Sequence, residues 1–229
     1  MQKLSKVDFK NKDLIIFDFD GTLINSIPDL TLAVNNMLAH YNFPPLTIKQ
    51  VTPFIGNGAK PLVKRALEHA LQSKKLTSSL LEEALIIYFK AYKDVTCIDT
   101  FMYPGVLETL QYLDKKGYKM AICTNKPFDF IEPILDTLEI KHFFKCWIGE
   151  DSLPEKKPEA APLLYLANKM DTFINNSIMV GDSKNDILAA QNSNMESIGV
   201  SYGYNYNENI SDYNPTVVVD DFASLKELF

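Results

Sequence analysis

Cysteine is scarce in this chain. Cys97, Cys123 and Cys146 are the three in 229 residues. They are odd in number, widely spaced, and form neither a CxxC pair nor a Cys/His cluster with zinc-ligand spacing, which excludes a disulfide framework and a structural zinc site and suits reduced thiols. Histidine is equally sparse: His40, His69 and His142 stand alone, and structural or surface roles are expected for them. No apolar run approaches the roughly 20 residues that cross a bilayer. The opening segment MQKLSKVDFKNKD is polar and mixed in charge, unlike the apolar core of a secretory signal. The expectation is a soluble cytoplasmic protein with no membrane partner. Excess positive charge is also missing. Lys and Arg total 23 against 29 Asp and Glu, a formal net charge of -6. Without a basic stripe, a nucleic-acid partner is not expected. An acidic protein that handles a small anion must draw local positive charge from a metal or from a few placed lysines.

What is present is a globular composition, 46% hydrophobic and 23% charged, sufficient for a sizeable core. Leu14 to Phe17 is a short apolar run ending in the polar cluster Asp18-Phe19-Asp20-Gly21-Thr22, the pattern of a buried strand and its loop. Ser26 before Pro28 suggests a helix cap and an early helical proline. From there to about Asp99 the spacing is helical, over Leu30 to His40, Lys60 to Leu71 and Leu80 to Tyr92, with Val51 to Gly58 as an interruption. After Tyr103, strand-like and helix-like segments alternate. Helix Val106 to Lys116 precedes strand Tyr118 to Cys123. Pro127 opens a helix, Lys145 to Ile148 is a strand, and Pro158 starts another helix. Strand Ser177 to Val180 leads to helix Asp186 to Gln191, and Ser197 to Val200 and Thr216 to Val219 are further strands. Such alternation predicts an α/β fold with a parallel sheet. The sheet-forming body is expected at residues 1–23 and 100–229, and an inserted helical domain at 24–99.

Four segments carry candidate chemistry. Asp18 and Asp20 lie two apart in an extended chain, so both carboxylates reach one side at a strand end, where open α/β sheets bind ligands. That pair reads as nucleophile plus acid/base, or as an acidic turn. Gly181-Asp182-Ser183-Lys184-Asn185-Asp186 follows the apolar run Ile178 to Val180. Its two carboxylates are hard oxygen ligands of the kind Mg²⁺ takes, or else a cap for the next helix. Thr124, with Asn125, sits where a strand meets a helix, an anion site or an ordinary cap. Lys157 precedes Pro158, placing a cation beside an expected helix start. It serves to pair with buried carboxylates or phosphate, or belongs to a solvated lysine pair with Lys156.

Taken in order, these four strand ends resemble the motifs of the haloacid-dehalogenase-like phosphatases: DxDGT at Asp18 to Thr22, a hydroxyl residue at Thr124, a lysine before proline at Lys157, and GDxxxD at Gly181 to Asp186. The resemblance spans nearly the whole chain and implies a Rossmann-like parallel sheet core with an inserted helical (C1-type) cap. It is nearest to the bacterial phosphoglycolate phosphatases, through Phe54 to Ala59, Arg65 to Leu67, Thr124 to Lys126 and Tyr202 to Tyr206. Asn25 is a departure, since many relatives carry Asp there.

The resemblance implies a Mg²⁺-dependent phosphatase that forms an aspartyl-phosphate and acts on a small phosphate monoester, with 2-phosphoglycolate leading and pyrophosphate or sugar phosphates as alternatives. The implied catalytic residues are Asp18, Asp20, Thr124 and Lys157. Thr124, Asn125, Lys157, Gly56 and Asn57 would meet substrate, and Asp18, Asp20, Asp182 and Asp186 would serve the metal. A sugar phosphomutase is the nearest rival reading. A phospho-Asp receiver domain is the rival from another class, disfavoured by the helical insertion and by an Asp two residues beyond Asp18. The sequence specifies no oligomeric state.

Overall fold

The computed structural model describes residues 7–72, 75–206 and 208–229. Six parallel strands form the main sheet: β1 (Leu14–Phe17), β4 (Lys119–Cys123), β5 (Cys146–Ile148), β6 (Ser177–Gly181), β7 (Glu196–Val200) and β8 (Val217–Val219), in the spatial order β5-β4-β1-β6-β7-β8. β1 is central because its four residues Leu-Ile-Ile-Phe are apolar on both faces, as a strand covered on both sides must be. Ile15 and Phe17 join a layer with α5 (Val106–Lys116) and α6 (Ile131–Thr137) through Val106, Leu110, Ile131 and Ile134. Leu14 and Ile16 face the opposite layer, where α7 (Ala161–Lys169) and α8 (Lys184–Asn192) supply Leu163, Leu166, Ala189 and Ala190. The period-two alternation of β1 thus divides its side chains between two helical layers.

A third core belongs to the helical segment: α1 (Ile27–His40), α2 (Ile48–Val51), α3 (Ala59–Leu71) and α4 (Ser78–Val95). Leu30, Val34, Met37, Val63, Leu67, Tyr88 and Tyr92 pack there, joined by Phe130 and Tyr204 from the sheet-bearing body. Two short strands, β2 (Ile24–Asn25) and β3 (Phe101–Met102), pair antiparallel and carry the chain into and out of the helices. The buried Asp29 carboxylate binds the return path, accepting from the backbone of Asp99 (2.9 Å) and Thr100 (3.0 Å) and from the Thr100 hydroxyl (2.6 Å).

Some local expectations are corrected. Two-residue strands such as β2 and β3 are too short to leave a periodic signal. The helix expected from Pro158 begins at Ala161, with Pro162 in its first turn. Pro127 leads first into a 3₁₀ turn, Phe128–Phe130, and then α6. Ser26 occupies the cap position of α1 without capping it; Asn25 Oδ1 instead accepts from the Ile27 N–H at 3.1 Å. None of the described helices is long and apolar enough to cross a membrane.

Candidate active site

The parallel register brings the strand ends to one rim. Phe17 is level with Ile122 on β4 and with Val180 on β6. The chains that continue past them carry Asp18, Thr124 and Asp182 to the same edge. The Asp18 N–H donates to the Val180 carbonyl (2.8 Å) and the Thr124 N–H to the Ile148 carbonyl (3.1 Å), so both residues are fixed through their backbones. Lys157 enters from the loop after β5. Its ammonium lies 2.9 Å from Asp18 Oδ1 and donates to Asp186 Oδ1 at 2.6 Å.

Asp18, Asp182 and Asp186 are buried, and one oxygen of each lies within 4.8 Å of the others. Each is held by a different device. Asp182 accepts from the Thr22 hydroxyl (2.9 Å) and the Tyr204 N–H (2.8 Å). Asp186 Oδ2 accepts from the Ser183 N–H (2.9 Å) and hydroxyl (2.8 Å). It therefore serves the start of α8 and the cluster together, joining the two readings open at sequence level. Asp18 Oδ1 is the exception: although buried and close to Lys157, it accepts no aligned hydrogen bond. Glycine makes the crowding possible. A Cβ on Gly21, whose φ is +96°, would fall 2.4 Å from Asp182 Oδ2, and one on Gly203 would fall 2.2 Å from Asp182 Cβ.

Burial, reinforced by the Asp186 charge and opposed by Lys157, pushes the Asp18 carboxyl up from 3.8 to about 7. Burial and the charges of Asp18 and Asp186 likewise push Asp182 well above the ordinary carboxylate range. Burial alone would lower Lys157, but the neighbouring Asp18 and Asp186 charges outweigh it and hold the ammonium above the usual lysine value. Three buried carboxylates facing one ammonium leave local negative charge uncompensated. That donor set, with the orphaned Asp18 oxygen, fits a hard divalent cation.

Asp20 stands apart from the cluster. It accepts from the Ser26 hydroxyl at 2.5 Å and from the Lys126 ammonium at 3.1 Å on each oxygen. Lys126 also donates to the Tyr92 hydroxyl at 2.6 Å, reaching across to α4. Asp18, Asp20, Thr124, Asn125 and Lys157 line one cleft with Lys126, and the helical segment closes its far wall with Leu30, Ile55, Gly56, Leu62, Tyr88 and Tyr92. Asn125 Nδ2 donates to the carbonyls of Gly56 (3.2 Å) and Lys157 (3.1 Å).

Asn57 is placed differently from the expectation. It does not line the cleft; Arg65 holds its side-chain oxygen at 2.9 Å, and its carbonyl accepts from Lys156 at 3.0 Å. Arg65 also donates to the Phe54 carbonyl (2.8 Å), so it shapes this loop, while Lys60 is exposed.

A family model described as haloacid dehalogenase-like hydrolase matches residues 15–200. The chain belongs to the haloacid dehalogenase-like hydrolases. It is 43% identical over 217 residues, 94% of this chain and 96% of the relative, to a phosphoglycolate phosphatase of Colwellia psychrerythraea. It is 41% identical to phosphoglycolate phosphatase 1 of Pseudomonas aeruginosa over 93% of this chain and 78% of that one. Among solved structures, a predicted phosphoglycolate phosphatase from Haemophilus somnus superposes with a TM-score of 0.91 at 40% identity, covering 95% of this chain and 98% of the other.

In this haloacid dehalogenase-like hydrolase, sequence reasoning read Ser26 only as a helix cap and Lys126 and Tyr204 only as members of resembling segments, and it gave Tyr92 no part. Lys126 had a usable signal, since it sits two residues past Thr124 in the turn that leaves β4, and its N–H donates to the Thr124 hydroxyl at 3.2 Å. Tyr92 had none, because a tyrosine at helical spacing reads as core. His40, His69 and His142 are exposed. Burial pushes the Cys123 thiol up to about 12, leaving it an inert core residue beside Thr124.

Proposed function

We propose that this hydrolase is a Mg²⁺-dependent phosphatase that acts through an aspartyl-phosphate on a small phosphate monoester, foremost 2-phosphoglycolate. The single observation that carries the reading is the buried group of Asp18, Asp182, Asp186 and Lys157 at the rim of the parallel sheet. The named relatives support the phosphatase chemistry and the substrate.

Asp18 and Asp182 would hold Mg²⁺ with the main-chain carbonyl of Asp20. When bound, the ion supplies positive charge that offsets repulsion between the Asp18 carboxylate and an anionic ester. Asp18 attacks phosphorus and the ester oxygen leaves. Thr124 and Lys157 bind the equatorial phosphoryl oxygens, where charge is spread at the transition state. Asp186 keeps Lys157 aimed through their 2.6 Å contact. Asp20 gives a proton to the departing alcohol and then, as a carboxylate, takes one from the water that hydrolyses the aspartyl-phosphate. The Gly56 loop and the apolar residues of α1, α3 and α4 limit access of bulk water.

Phosphate release from a panel of esters, each with Mg²⁺ and with chelator, tests the reading. Turnover should require Mg²⁺, and 2-phosphoglycolate should have the highest kcat/KM. Asp18→Asn should lose about 10⁴-fold or more in kcat, the scale seen when a covalent nucleophile is removed. Near-normal turnover by that variant excludes Asp18 as nucleophile. A different ester far ahead of 2-phosphoglycolate removes the narrower assignment.

A further inference from the structure

Lys126 is a buried cation that the phosphoryl chemistry above leaves unused. Its side chain is 2% exposed, yet it lines the cleft. All three of its donors are engaged: one to the Tyr92 hydroxyl at 2.6 Å and two to the single carboxylate of Asp20, each at 3.1 Å. Ammonium–carboxylate hydrogen bonds ordinarily close to about 2.7–2.9 Å. The doubled contact to Asp20 is therefore long, and one of its two donors is available for exchange. Tyr92 accepts from Lys126, and among the described residues its own hydroxyl proton finds no acceptor. The Lys126 ammonium and the Tyr92 hydroxyl thus lie together at the wall of the cleft.

Position says what they face. Asp18 and Lys157 mark where phosphorus sits, and Asp20 marks the leaving oxygen. Lys126 touches Asp20 and not Asp18, so it lies beyond the leaving oxygen, on the alcohol side. The other residues on that side, Leu30, Ile55, Leu62 and Tyr88, are largely apolar. Lys126 and Lys157 are the two cations lining the cleft among the described residues, and Lys157 is committed to Asp18 and Asp186.

We propose that Lys126 and Tyr92 form the subsite that selects an alcohol carrying a carboxylate one methylene away from the ester oxygen. This rests on the phosphatase reading above and assigns its substrate preference to two residues. One carboxylate oxygen takes the exchangeable Lys126 donor and the other takes the Tyr92 proton, while Lys126 keeps a single contact to Asp20. Tyr92 belongs to the helical segment and Lys126 to the sheet-bearing body, so the carboxylate is gripped from both sides when the two are together. Esters lacking the carboxylate leave Lys126 on Asp20 and Tyr92.

The test compares kcat/KM for 2-phosphoglycolate with that for ethyl phosphate, which differs by lacking the carboxylate, in wild type, Lys126→Met and Tyr92→Phe. A hydrogen bond to a charged group is worth enough that Lys126→Met should reduce the preference for 2-phosphoglycolate about ten- to a hundredfold. Tyr92→Phe, which keeps the ring and its packing, likewise removes a hydrogen bond to a charged group and should reduce it about tenfold or more. Loss of both activities in proportion, with the ratio kept, would mean that Lys126 acts only through Asp20 and would overturn the subsite. An unchanged ratio in Tyr92→Phe overturns it even if Lys126→Met does not fold. Wild-type enzyme that shows no preference between the two esters overturns the substrate reading itself. Wild type that prefers 2-phosphoglycolate while both variants keep the preference overturns the subsite alone.

Discussion

At the scale of single residues, crowding around carboxylates decides which substitutions the site tolerates. Gly21 has a left-handed φ of +96° and faces Asp182 so closely that a methyl group would sit 2.4 Å from Oδ2. The obstacle is a buried carboxylate pinned by Thr22 and Tyr204, not the free end of a flexible side chain. Gly21→Ala must therefore displace Asp182 or distort the turn after Asp20. The expected result is a raised Mg²⁺ requirement, read as a tenfold or greater shift in the Mg²⁺ concentration for half-maximal turnover, about 1.4 kcal/mol. Wild-type Mg²⁺ dependence in this variant would show that Asp182 is not held in place by Gly21. The DxDGT and GDxxxD spacings made Asp18, Asp20, Asp182 and Asp186 legible as candidates. Their partners were not legible, because Ser26, Tyr92 and Tyr204 act through contacts between residues far apart in the chain, and one sequence carries no record of such contacts.

Among the elements, the parallel strands were the clearest in the sequence. β1, β4, β6 and β7 are short apolar runs closed by polar turns, and each strand end was located to within a residue or so. The helices α1, α3, α4 and α5 were legible from their three- and four-residue apolar spacing. The paired strands β2 and β3 were not, since two residues are too few to alternate. Asp29 does at this junction what no regular element can. It gathers two backbone N–H groups and a hydroxyl from Asp99 and Thr100 at full burial. Asp29→Ala strands those donors, at about 1–3 kcal/mol for each one left buried without a partner. A lowered midpoint in urea unfolding should result, together with faster hydrogen exchange at Thr100. Unchanged stability would mean that water replaces the carboxylate at no cost.

Over the whole molecule, the sheet brings like charges together and the fold bears the cost. The Asp18 carboxyl is raised from 3.8 to about 7 by burial and the Asp186 charge, against the pull of Lys157. Between those two values the folded chain keeps a proton that the unfolded chain has lost, so this group lowers unfolding free energy as pH rises through that window. Above about 7 the penalty is complete. A cation that binds only the folded state adds stability by mass action, and it binds best when Asp18 is ionised. The rise in Tm on adding Mg²⁺ should accordingly be larger at pH 8 than at pH 5, and smaller in Asp18→Asn. A Mg²⁺ effect independent of pH and of Asp18 would place the ion elsewhere. The α/β class was legible at this scale because alternating strand and helix signals have few compact solutions. The helical segment was expected at the cleft through Gly56 and Asn57 by resemblance alone; the side chains that cross between the parts, such as Tyr92, Phe130 and Tyr204, were not legible.

The most direct measurement is a crystal structure of the protein with Mg²⁺ and beryllium trifluoride, a mimic of a phosphoryl group attached to a carboxylate. The account predicts beryllium bonded to an oxygen of Asp18, with Thr124 and Lys157 against the fluorines. Beryllium on any other side chain, or an Asp18 carboxylate left free while the fluoride binds elsewhere in the cleft, would contradict it.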